Sequence, residues 1–186
     1  MKNFAKLFVL LAVLILPNFA FAAEKNYITL YDASLTDFFN NMKTLGEQVD
    51  VNIFQIDYEK QDKIIVGTAH FGNDSENVIY SLADNKFSPP ANVIVTFSTS
   101  EDSATQAGAV LSMVLVLSGF SEDEYEDFTE QISEDMEDID DEVSEKYQIW
   151  CEAAQRYIEI VAYITAEKGV FTVMACEQPS TKVAGF

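Results

Sequence analysis

His70 is the chain's one histidine, the side-chain type best suited to move a proton near neutral pH. It stands between Ala69 and Phe71 in a stretch that reads as a strand, with no nucleophile and no metal-ligand spacing around it. It therefore reads as structural. Motifs of the His-Glu-x-x-His kind are absent, as are glycine-rich loops that cradle phosphate. Gly119, Phe120 and Ser121 look briefly like a nucleophile elbow, but the closing glycine is missing and no strand precedes them. Ser121 fits better as a helix cap. Hydrolysis by two facing carboxylates needs one particular pair, and 31 acidic residues offer no way to choose it.

Cys151 and Cys176 are the only cysteines. In an exported chain such a pair is often oxidised. A bridge between them would close a loop of about 25 residues, worth roughly 3 kcal/mol in the chain-entropy account. In a simple three-strand meander the middle strand would hold them about 10 Å apart, beyond bonding reach. A helical segment at 147–153 would remove that objection, and the bridge is the expectation. Arg156 is the only arginine, and in so acidic a chain it is expected to pair internally with an Asp or Glu. Asn73, Asp74 and Ser75 form a glycosylation sequon at a turn, a pattern short enough to arise by chance.

The unusual feature is a run of acid. From 122 to 145, 14 of 24 residues are Asp or Glu and none is Lys or Arg. Phe128, Ile132, Met136, Ile139 and Val143 recur through it at helical spacing. Ser121 and Glu124 make a capping box at its start. The pattern predicts one amphipathic helix with an apolar stripe and an acidic back. Glu126, Glu130, Glu134, Asp138 and Glu142 follow one another four apart, and Asp141 adds to the same end. Each like-charged pair costs an isolated helix about 0.2–0.5 kcal/mol, and acids near the C-terminus oppose the helix dipole. Such a helix depends on its stripe being held against the rest of the protein. Calcium takes oxygen ligands, but a straight helix points its carboxylates outward. Asp138, Asp140 and Glu142 are followed by Val143 where a calcium loop needs glycine. Weak, diffuse Ca²⁺ binding is expected and a dedicated metal site is not; no cofactor is called for.

The elements around this run follow from periodicity. Residues 26–31 read as a short strand. Ser34 and Asp37 cap a helix through Leu35, Phe38, Phe39, Met42 and Leu45, with Gly46 placed to end it. Segments 51–58 and 64–71 read as a strand pair, and 76–83 as a third strand. Pro89-Pro90 is a candidate division between lobes. Residues 93–98 read as a strand and 104–117 as an apolar helix too short to span a bilayer. Segments 157–165 and 170–176 form a hairpin about Glu167, Lys168 and Gly169. The fold class is α+β: a mainly antiparallel sheet with helices packed on one face, arranged as a single domain over 23–186 or as two β-α-β-β-β units.

Residues 1–22 are set aside from the fold. Lys2 and Lys6 precede an apolar run at 7–16, then Pro17, then Ala20-Phe21-Ala22, the form of a cleaved signal peptide. Losing its two lysines takes the formal charge from −20 to −22. Such a chain is exported, to the periplasm or the outside medium of a bacterium, with nothing to hold it in a membrane afterwards. A pI near 4.1 excludes nucleic acid, whose phosphates need clustered Lys and Arg. The expectation is a non-enzymatic exported binding protein whose acidic helix, through Glu126, Glu130, Glu134, Asp138, Asp141 and Glu142, meets a basic protein, a peptide or a polyamine. The alternatives are a secreted hydrolase using a carboxylate pair, and a structural envelope domain without a dedicated ligand. Replacing Glu130, Glu134, Asp138 and Glu142 by Gln is expected to raise the melting temperature in low salt, followed by circular dichroism. Unchanged melting would refute the repulsion argument.

Overall fold

The computed structural model describes residues 29–121 and 143–176. Two helices, α1 (Leu35–Gln48) and α2 (Glu101–Leu117), accompany seven strands: β1 (Ile53–Gln61), β2 (Ile64–Phe71), β3 (Val78–Ala83), β4 (Asn92–Ser98), β5 (Val143–Cys151), β6 (Arg156–Ile164) and β7 (Lys168–Cys176). All the strands join one antiparallel sheet in the order β1-β2-β3-β4-β7-β6-β5. Each half is a helix followed by an antiparallel meander, and β4 and β7 zip the halves together. The expected α+β architecture is present. Pro89-Pro90 lies in the β3–β4 connection, within this continuous sheet.

Both helices lie on one face of the sheet, and strand alternation explains why. Ala69 and Phe71 of β2, Ile79 of β3, Val93, Val95 and Phe97 of β4, Phe171 and Val173 of β7, and Ile158, Ile160 and Ala162 of β6 point inward and are buried with Phe38, Phe39, Val110, Leu111 and Leu115 of the helices. A bulge in β1 between Phe54 and Asp57, where Gln55 takes φ 50°, brings Ile56 and Tyr58 to the same face as Ile53. The extra residue reverses the alternation, so Ile53 before it and Ile56 and Tyr58 after it all reach the core.

Two glycines let the layers touch. A Cβ on Gly67 would lie 2.4 Å from the Phe39 ring, so α1 rests directly on β2. A Cβ on Gly169 would lie 2.1 Å from the Phe97 ring. That ring in turn packs on Phe171 at 5.0 Å between centroids, across the β4–β7 ladder.

The start of α1 follows the expected cap: Ser34 accepts from the Asp37 amide at 3.1 Å, and its hydroxyl donates to the Asp37 carboxylate at 2.6 Å. The end does not. Gly46 sits inside the helix, which continues to Gln48, and the left-handed residue is Asp50 at φ 59°. Gly46 is required because the returning chain passes close, placing the Val51 carbonyl oxygen 2.4 Å from where its Cβ would be. Helix α2 opens earlier than its apolar pattern suggested, with Ser100 as cap accepting from the Ser103 amide. It stops at Ser118 and Gly119, the latter at φ 106°. Buried Asn77 fixes its first turn, donating to Ser103 Oγ at 3.0 Å while accepting from the Ser98 amide at 3.1 Å. Among the described residues no helix is long and apolar enough to cross a membrane.

Two expectations are corrected. Of the strand expected at 26–31, residues 26–28 lie outside the described residues, and 29–31 are irregular, with the Leu30 amide donating to the Pro90 carbonyl at 3.0 Å. The acidic helix was expected to run through Glu145, but Val143 and Glu145 belong to β5, paired with Ile164 and Ala162 of β6. The ladder supplies backbone partners along this segment, and inward Tyr147 and Ile149 join the core. Enlarging either contact glycine should destabilise the fold. Gly67→Ala and Gly169→Ala are each expected to cost about 1–3 kcal/mol by urea denaturation, whereas Gly108→Ala, with open space around its Cβ position, should not.

Candidate interaction surface

The acidic residues singled out as binding groups, Glu126, Glu130, Glu134, Asp138, Asp141 and Glu142, lie outside the described residues. What the structure places is the frame on either side of them. At one end, buried Phe120 and the Gly119 turn bring the chain to the β5–β6 turn: a Cβ on Gly119 would lie 3.4 Å from Ala154 Cβ and 3.5 Å from Cys151 Sγ. The Cys151 thiol also donates to the Ser118 carbonyl at 3.8 Å. At the other end the chain enters Val143, the first residue of β5, a full strand length away from Cys151.

The expected disulfide is not formed: Cys151 and Cys176 remain thiols. Residues 147–151 are strand, so the meander geometry that spoke against the bridge is the one adopted. Cys151 pairs with Arg156, and Cys176 pairs with Tyr157, on opposite edges of β6. They also point to opposite faces. Cys151 is fully buried against the helices, whereas Cys176 shares the outer face with Glu159.

That outer face carries no helix among the described residues. Its centre is a small apolar cluster of Val66, Leu82 and Ile94, with Ile64, Tyr80 and Val170 packed against it. Burial pushes the Tyr80 phenol above its ordinary range. At one margin His70 stacks on Phe54, with 5.7 Å between ring centroids. Its Nδ1 is buried without a hydrogen-bond partner among the described residues. At the other margin, on β5 and β6, lies a polar group. Lys146 Nζ stands 2.7 Å from Glu159 Oε2, and Gln148 Nε2 donates to the same oxygen at 2.6 Å. Trp150 packs edge-on against Tyr157 at 4.9 Å, its indole N–H donating to Glu152 at 2.7 Å.

The Cys176 thiol is held above its usual range, first by burial and then by the Glu159 carboxylate; Lys146 opposes this. A raised pKa lowers the thiolate fraction at neutral pH. Arg156 pairs internally, as expected. Its guanidinium grips Asp32 through two hydrogen bonds of 2.8 and 2.9 Å and donates to the Thr29 carbonyl. It thereby pins the incoming chain across the end of β6. Among the described residues no three His, Cys, Asp or Glu side chains gather as a metal site.

Comparison with protein-family models, curated proteins and solved structures finds no match to this chain. Sequence reasoning missed the Lys146–Gln148–Glu159 group because cross-strand register creates it. The only signal was alternation in the strands concerned. Glu159→Gln is expected to lower the Cys176 thiol pKa, so that half-maximal alkylation shifts to lower pH in a mass-spectrometric pH series. An unchanged profile would show that the carboxylate does not act on the thiol.

Proposed function

We propose that the protein is an exported, non-enzymatic binding protein that offers the acidic segment 122–142 to a cationic partner, a basic protein, peptide or polyamine. The observation that carries this reading is the separation of charge. In 122–142, 13 of 21 residues are acidic and none is basic. The described residues, by contrast, hold 16 acids with 7 bases. A single-signed stretch of this kind attracts and orients an oppositely charged partner from a distance and speeds encounter.

The described residues set the distance that the acidic segment covers. The chain must return from the Cys151 end of β5 to its Val143 end, about 30 Å for a strand of nine residues. Twenty-one residues in a helix span about 32 Å. Among the described residues, helix α2 packs against β4 and β7. Tyr147, Ile158 and Ile160 on the inward rows of β5 and β6 are buried in the same core as the helices. Phe128, Ile132, Met136 and Ile139 recur at helical spacing through the acidic segment. The end of the acidic stripe is corrected to Glu142, since Val143 opens the strand.

A lysine-rich peptide is the direct probe. Its affinity should fall by at least about tenfold when ionic strength rises from about 0.02 to 0.5 M, as the Debye length shrinks. The combined variant Glu130→Gln, Glu134→Gln, Asp138→Asn and Glu142→Gln should slow association in low salt. Affinity that ignores salt, or a variant that associates at the parent rate, would refute the reading.

A further inference from the structure

We draw no further inference here: the strongest candidate, the apolar cluster of Val66, Leu82 and Ile94 on the sheet face opposite the two helices, carries nothing because those side chains are themselves buried and nothing in the structure shows what covers them.

Discussion

The structure depends on the ladder between β4 and β7. Seven registered pairs, from Asn92 with Met174 to Ser98 with Lys168, make two meanders into one sheet. Without it, each half would be a small sheet with an uncovered edge and half a core. At its centre the Phe97 ring lies over Gly169 and against Phe171. The absence of a side chain at that glycine is as necessary as the presence of one at the phenylalanine. Interiors are packed closely enough that one extra carbon at such a contact has nowhere to go.

The ladder also decides where chemistry falls. Among the described residues it gives the sheet one face covered by helices and one without a helix, and it leaves β1 and β5 at the two ends of the strand order. The helix face takes the main apolar core, and the outer face carries a smaller apolar cluster with polar groups at its margin. There Glu159 gathers Lys146 and Gln148; Arg156 grips Asp32 across 124 residues of chain. The second pair is asymmetric. The guanidinium is mostly buried and the carboxylate is largely exposed, so the arginine keeps hydrogen-bond partners while the acid keeps much of its water. Its effect is to fix the chain's approach to α1, and no reactive group stands beside it.

The acidic stretch and β5 are adjacent in sequence and oppose each other in character. Up to Glu142 the residues are charged, with apolar positions at helical spacing. From Val143 the apolar positions alternate, and each residue pairs with β6. The boundary was hidden because Val143 satisfies both periods, and Glu145 extends the acidic composition into a strand. Composition therefore places the change of structure three residues too late.

Local signals sufficed where local physics decides. The Ser34 cap, the stop at Ser118 and Gly119, the strand pairs at 53–71 and 156–176, and the α+β class were all legible, because capping, turns and alternation act within a few residues. The internal pairing of Arg156 was legible too, since one arginine among so many acids has few other options. Tertiary structure alone decided the rest. It set Gly46 within its helix because Val51 returns past it, and it kept Cys151 and Cys176 apart because β6 runs between them. It also brought Lys146, Gln148 and Glu159 to one point through register. These depend on which segments meet in space, and a linear pattern carries periods but not partners.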